Sequence, residues 1–323
     1  MRAGRRGSTR RKVAGTGLKS ANSYSPKQFV VIVSLLIAGM FPSPRSFAGE
    51  EPQVPVGIGG DGVVVALFDT GVNYTLPEIA NRLARDGEGL IIGFDFHDDD
   101  FQPFDALPGD TRSEPRRHGT TVASILLREA PGARLAPYRF KAGDPVSFAR
   151  MVVHAALGPT RIVCMSLGGR KREDWELFHQ AVEANPQILF VVSAGNDGAN
   201  VDDRPLYPPS FGLANILVVA ATDTFGRFMA DANWGPETVD IAAPAERIQA
   251  LDFSGALSRA SGSSFAAPRI AALAARILQS NDNLDTAALK ARVLALAGPN
   301  PSERKRRTKH GWIADPATVA FTD

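Results

Sequence analysis

From residue 63 onward, short unbroken apolar runs alternate with stretches whose apolar residues recur at helical spacing. The runs are Val63–Phe68, Leu90–Phe94, Arg134–Phe140, Arg161–Leu167, Ile188–Val192 and Ile216–Ala220. They lack the polar alternation of a half-exposed sheet, so they predict strands covered on both faces. Helices are predicted around Thr120–Leu127, Val146–Leu157, Asp174–Ala184 and Phe265–Gln279. In the last of these, Ile270, Leu273, Ala274, Ile277 and Leu278 share one face. No internal repeat or heptad seam interrupts the pattern. Buried strands alternating with helices predict an α/β fold of three layers, a mostly parallel central sheet with helices on both faces.

The N-terminal apolar run differs in kind. It covers 13 residues, Phe29 to Phe41, after a basic stretch from Arg2 to Lys27 and before Ser46-Phe47-Ala48. This is the order of a secretory signal with small residues at its cleavage site. The run is short for a membrane span, which takes about 20 residues, although an uncleaved N-terminal anchor is the alternative reading. Arg10-Arg11 hint at twin-arginine export but stand 17 residues before the run. The predicted organisation is a signal over 1–48, a Pro- and Gly-rich linker over 49–61 and one domain over 62–320. It implies a secreted or periplasmic protein with no stable membrane association after cleavage, taken to be a monomer.

Composition narrows the function. Of the 323 residues, 44% are hydrophobic and 22% charged, which excludes a disordered chain. A single cysteine, Cys164, excludes an intramolecular disulfide framework and any multi-cysteine metal site. Its place in an apolar run marks it as a core thiol. Nine of the basic residues lie within residues 1–48, leaving 27 basic against 34 acidic residues in the remainder. So acidic a body argues against nucleic acid as a partner. The run Arg304–Lys309 therefore reads as a solvated loop. His97, His154, His179 and His310 lack metal-ligand spacing and are expected on surfaces or helix faces.

Ligands of parallel sheets gather beyond the carboxyl ends of the strands. Three polar residues stand at such places. Asp69 follows VVVALF, His118 opens HGTTVASILL, and Ser264 lies in SGSSFAAPRIAALAA. Taken singly, they are a turn former, a helix-start residue and an N-cap. Together they are the parts of a nucleophilic hydrolase. Serine is a weak nucleophile until a histidine takes its proton, and the histidine needs a carboxylate to fix its tautomer.

The surrounding motifs are more specific. ALFDTGV, RHGTTVASI and SGSSFAAP resemble the three catalytic segments of the subtilisin-like serine proteases, the subtilases or peptidase S8 family. The order Asp, His, Ser is that of subtilisin itself. MSLGG over Met165–Gly169 is similar to the family strand that binds the substrate backbone, which implies that Ser166, Leu167 and Gly168 pair with an extended peptide. VVSAGNDG over Val191–Gly198 resembles the segment carrying the oxyanion asparagine, here Asn196, with Ser193, Ala194 and Gly195 beside the substrate. YPPSF, ANILVVAAT, VDIAAPAERI and HGWIADPATVA follow in family order. The resemblance implies the three-layer subtilisin-like fold. It also implies a serine endopeptidase in which Ser264 attacks, His118 acts as general base and acid, and Asp69 holds His118. The Ser264 N–H and the Asn196 amide would form the oxyanion hole, with Pro268 expected in the first turn of the following helix.

The departures are specific too. Ser263, Phe265 and Arg269 stand where relatives usually have Thr, Met and His, and Thr121 replaces a second, non-catalytic histidine. Phe265 is bulky beside the nucleophile. No cofactor is required for the chemistry. A structural Ca²⁺ on Asp98, Asp99, Asp100 or Asp105 is one reading of the acidic loop HDDDFQPFDALPGD, against a solvated surface loop, since EF-hand-like spacing is missing. The segment after the histidine helix is short and lacks the extended calcium loop of many subtilisins, so weak calcium dependence is expected. Secreted subtilases often carry an inhibitory prodomain, yet only residues 49–61 separate the expected signal from the first strand, so the chain is expected to fold unaided, to receive help in trans or not to be a typical active protease. Leu206 is expected to project into the primary specificity pocket and to favour small or medium apolar residues. A non-catalytic subtilase-like module that binds peptides is the rival function. A non-protease serine hydrolase is disfavoured by the missing G-x-S-x-G elbow.

Overall fold

The computed structural model describes residues 51–106 and 117–320. The signal and its cleavage site lie outside the described residues, as does the end of the acidic loop, 107–110. Among the described residues no helix is long and apolar enough to cross a membrane.

The central sheet has seven strands: β1 (Val63–Asp69), β2 (Phe94–Asp95), β3 (Ala133–Arg139), β4 (Ile162–Met165), β5 (Leu189–Ser193), β6 (Ile216–Thr222) and β7 (Ile241–Pro244). Their order is β2-β3-β1-β4-β5-β6-β7. Every pairing is parallel. The winding reverses at β1, with β3 on one side and β4 on the other, so a crevice opens beyond the carboxyl ends of these strands. Helices α1 (Pro77–Ala80) and α6 (Thr286–Leu294) accompany four others. These are α2 (His118–Glu129), α3 (Pro145–Ala156), α4 (Glu176–Glu183) and α5 (Ser263–Ser280).

The strands are apolar throughout because each feeds two cores. Val65 and Leu67 of β1 join Cys164 of β4 and Val191 of β5 in a core with α2, α5 and α6. Val64, Ala66 and Phe68 join Val163, Met165 and Phe190 in the other, with α3 and α4. This period-2 division is what a parallel sheet covered on both faces requires. Helix α5 is buried nearly all round, including Ala266, Ala267, Ala271, Ala272, Ala274 and Ala275, and it packs against β1, β4, β5, β6 and β7. Small residues let its backbone approach the sheet closely. Its one buried charge is Arg269, whose Nε donates to both carboxylate oxygens of Glu129 at 2.9 and 3.0 Å. Nη1 of Arg269 donates to the Pro244 carbonyl and Nη2 to Asp315. A guanidinium so fully paired is tolerable in a core, which accounts for Arg269 at a place where relatives usually carry histidine.

Several sequence expectations are corrected. Of Leu90–Phe94 only Phe94 joins the sheet, because the preceding residues make a local bridge from Arg85 to Ile91 instead. The strand expected over Arg161–Leu167 stops at Met165, and Ser166–Gly168 leave the sheet as an extended segment. Helix α4 starts at Glu176, after a separate 3₁₀ turn over Arg172–Trp175. The sequence reading also omitted α1, β7, α6 and the antiparallel hairpin of β8 (Ile248–Leu251) with β9 (Leu257–Ala260). Helix α6 carried a legible start, because Asp285 caps it through the Ala288 N–H at 2.7 Å. Only Thr286, Leu289 and Val293 of it are buried, too thin a stripe for periodicity to reveal.

Candidate active site

Asp69 is the last residue of β1 and is fully buried. His118 is the first residue of α2, and its Nδ1 lies 2.9 Å from each oxygen of the Asp69 carboxylate. Asp69 Oδ1 also accepts the Thr70 N–H at 2.8 Å, which fixes the plane of the carboxylate. Burial works against a charged His118 ring. The charge of Asp69 and its hydrogen bond outweigh that cost, with help from Asp105, and hold the His118 pKa above the ordinary imidazole value.

Helix α2 has no side-chain cap of its own, since Arg117 precedes it in the left-handed conformation with its guanidinium over the Phe253 ring. The first N–H groups of a helix nevertheless need acceptors. Thr70 Oγ1 takes the Gly119 N–H at 2.9 Å, and Asp105 Oδ2 takes the Thr120 N–H at 2.9 Å. Thr70 and Thr120 also donate their hydroxyls to Asp105. A carboxylate at this helix end is favoured by the backbone dipoles. Burial raises the Asp105 pKa to about 6, against the lowering effect of its hydrogen bonds to Thr120 and Thr70. Asp105 thus ties the segment after β1 to the helix that presents His118. This function was missed in the sequence because its partners lie 15 and 35 residues away.

Ser264 is the second residue of α5, and its N–H belongs to the helix end with no intrahelical acceptor. The next residue, Phe265, packs on His118 with ring centroids 5.5 Å apart. That contact brings the starts of α2 and α5 together and covers one side of the imidazole. Pro268 lies in the second turn of α5, not the first. Proline cannot supply the N–H that would bond to the carbonyl four residues earlier, that of Ser264. Ser166 Oγ supplies the missing hydrogen bond at 2.9 Å, which docks the segment after β4 onto the helix that bears Ser264.

Asn196 follows β5. Its Oδ1 accepts the Ser263 N–H at 2.9 Å, which ties the loop after β5 to the start of α5. Ser263 Oγ in turn accepts the Gly195 N–H at 3.1 Å, a contact that needs only a hydroxyl and tolerates serine for threonine. Buried Asn233, which drew no attention in the sequence, shapes this loop. Its Oδ1 accepts from the Asp197 and Ala199 N–H groups, and its Nδ2 donates to the Ala194 carbonyl. Ala194 and Gly195 spend their remaining backbone groups on Val219 and Asn233. Leu167 and Gly168 make no hydrogen bond among the described residues, and Gly168 is exposed. Among the described residues, backbone groups are thus uncommitted at Leu167 and Gly168 and engaged at Ala194 and Gly195.

Among the described residues, the acidic loop does not gather the carboxylates of Asp98, Asp99, Asp100 and Asp105. Asp98 pairs with Arg139 at 2.7 Å and Asp99 with Arg150 at 3.2 Å. Asp100 accepts the Gln102 N–H, and Asp105 is committed to the threonines. A different trio, Glu51, Asp95 and Asp98, does converge, with ligand atoms within 4.8 Å of one another. Nη1 of Arg139 contacts all three, at 3.2, 3.0 and 2.7 Å. Burial raises both Glu51 and Asp95 to about 7, with Arg139 pulling the other way. A guanidinium already fills this cradle, so the residues do not fit a calcium ion. The connection from α2 to β3 is three residues long, 130–132. His154 is packed on Phe94, Phe96 and Tyr138 and bonded to the Tyr138 hydroxyl, and Cys164 is a buried core thiol whose pKa burial pushes well up.

A buried Asp–His pair at strand and helix ends, with the start of a second helix packed on the histidine through Phe265, stands at the carboxyl-terminal edge of a parallel α/β sheet. The chain belongs to the subtilase family, whose pattern it matches over residues 60–312. It is similar to the thermophilic serine proteinase of Bacillus sp. (strain AK1), 29% identical over 241 residues, or 70% of this chain and 54% of that one. The chain thus spans about half the length of that relative. Thermitase of Thermoactinomyces vulgaris is 26% identical over 251 residues, covering 72% of this chain and 81% of thermitase. A cold-adapted subtilisin-like serine proteinase of known structure superposes with a TM-score of 0.64 over 81% of this chain and 92% of its own, at 24% identity.

Proposed function

We propose that the chain is a secreted or periplasmic serine endopeptidase that cleaves polypeptides through an acyl-enzyme formed on Ser264. The observation that carries the reading is the pair of 2.9 Å contacts from His118 Nδ1 to a fully buried Asp69, set against the helix start that bears Ser264. In this reading Asp69 holds His118 in the tautomer whose Nε2 is free to take the Ser264 proton. The proton then passes to the leaving amine, and water repeats the sequence to release the acyl group. The oxyanion sits between the Ser264 N–H and the Asn196 amide, where preorganised donors stabilise charge that develops only in the transition state. Extended substrate adds as a strand to Leu167 and Gly168.

The test is labelling of the purified protein with a fluorophosphonate, followed by casein hydrolysis. Labelling with cleavage is the expected result. A folded protein that neither labels nor cleaves would favour the peptide-binding module. Asn196→Ala is expected to lower turnover by about 10²–10³, the size measured for such a loss in subtilisin, with little change in KM. A loss smaller than about fivefold would remove Asn196 from the oxyanion hole. We further propose that stability does not depend on calcium, because the Arg139 guanidinium occupies the one converging trio of carboxylates among the described residues. The melting temperature should stay constant when a calcium chelator is added, and a fall of more than a few degrees would reject this.

A further inference from the structure

We propose that Asp105 is a positioning residue for the reaction, whose carboxylate holds the Thr70 hydroxyl away from Asp69 and so leaves the charge of Asp69 for His118. The inference rests on the endopeptidase reading and adds a residue that tunes its base. Asp105 is fully buried, as is Thr120, and Thr70 is nearly so. The two threonines stand on either side of the Asp–His pair. Thr70 follows Asp69 in the chain, and Thr120 lies in the first turn of α2 behind His118. Asp105 joins them. Its Oδ1 accepts the Thr70 hydroxyl at 2.7 Å, and its Oδ2 accepts both the N–H and the hydroxyl of Thr120. Thr120 Oγ1 in turn accepts the Asn73 N–H at 2.9 Å, which holds that hydroxyl in place.

One proton decides the arrangement. Thr70 Oγ1 carries a single hydrogen and lies 2.7 Å from Asp105 Oδ1 but 3.3 Å from Asp69 Oδ1. Hydroxyl-to-carboxylate hydrogen bonds are short, at about 2.5–2.7 Å, so that hydrogen belongs to Asp105. The same oxygen accepts the Gly119 N–H at 2.9 Å, which fixes the hydroxyl in this orientation. Asp69 is thereby spared a further donor, whose positive end would offset part of the negative potential it places on His118. Asp105 also adds its own charge and helps to raise the His118 pKa. The charged groups facing it are Asp69 from β1 and His118 from α2, while Arg117 at the entry to α2 is turned onto the Phe253 ring. Burial favours a neutral Asp105, but the bonds from Thr120 and Thr70 limit the rise of its pKa to about 6. It is therefore ionised in the range where His118 serves as a base.

The experiment replaces Asp105 by asparagine and by alanine, and follows hydrolysis of a peptide p-nitroanilide against pH. Melting temperatures are measured on the same preparations. Asparagine keeps the shape and can still accept the Thr120 N–H, but its amide donates to Thr70 Oγ1 and turns that hydroxyl toward Asp69. Asp105→Asn should lower kcat by about tenfold to a hundredfold, through a looser and weaker base, with KM little changed. Its acidic limb in kcat/KM should move to lower pH, because His118 loses one nearby charge and part of its hold from the other. Asp105→Ala should move the limb in the same direction and cost more stability, since it leaves the buried Thr120 N–H without an acceptor. A merely structural role would lower the melting temperature and leave the limb where it is. The position of the limb does not depend on the fraction folded. A limb in Asp105→Asn that coincides with the wild type's would overturn the role of Asp105 and leave the endopeptidase reading in place. Failure of the wild type to cleave either the p-nitroanilide or casein, together with no fluorophosphonate labelling, would overturn that reading and this inference with it.

Discussion

Replacing Ser264 by alanine is expected to lower turnover of casein by about 10⁶, the size of the corresponding loss in subtilisin, and to abolish fluorophosphonate labelling. That factor corresponds to about 8 kcal/mol of transition-state stabilisation. It is large because the variant loses the covalent route altogether, whereas the Asn196 amide and the strand-like grip on the substrate persist. Those remaining groups should leave a residual rate of about 10³–10⁴ over uncatalysed hydrolysis. His118→Ala should cost nearly as much, and the double variant little more, because the two residues act as one device. Stability should change little, since Ser264 Oγ is half-buried and makes no hydrogen bond among the described residues. A Ser264→Ala protein that retains more than a tenth of wild-type turnover would show that the chemistry lies elsewhere.

Asp69→Asn is expected to cost about 10⁴ in kcat, as the equivalent change does in a serine protease with the same triad, while leaving the fold intact. Both Asp69 oxygens accept from the surroundings of His118 and Thr70. An asparagine amide would present a donor to Nδ1, place the imidazole proton on Nε2 and remove the base. The same pair sets the pH dependence. The base is the neutral ring, and Asp69 holds the His118 pKa above the ordinary value of about 6.5 despite burial. Activity should therefore rise with pH through an acidic limb in kcat/KM that lies above that value. In Asp69→Asn the stabilising charge is gone, so the limb of the residual activity should move down. An acidic limb below pH 6 in the wild type, or a loss under tenfold in the variant, would contradict the assignment of His118 as base.

Much of this protein follows from local pattern. Val63–Phe68 and Ile216–Ala220 are readable as sheet strands because a parallel sheet covered on both faces tolerates no polar alternation. Asp69, His118, Asn196 and Ser264 are readable because their immediate neighbours carry information: strands before Asp69 and Asn196, and helices after His118 and Ser264. The hairpin of β8 and β9 escaped notice because its exposed pattern is weak. Leu90–Phe94 read as a strand because its composition suited one, although tertiary contacts gave most of it to a local bridge.

Other features exist only once the chain closes. Asp105 reads in sequence as one more acid in an acidic loop, and becomes a helix cap when Thr70 and Thr120 arrive beside it. Arg139 looks like the end of a strand, and becomes the cation of three carboxylates, Asp95 and Asp98 from one segment and Glu51 from another. Pro268 acquires its meaning from Ser166, which bonds to the carbonyl the proline leaves free. The sequence determined most strands of the central sheet, the longer helices and the candidates for chemistry, because periodicity and short motifs act over one or two turns of backbone. Which carboxylate is capped, paired or left for chemistry was decided by tertiary structure alone, because hydrogen bonding and desolvation depend on neighbours in space.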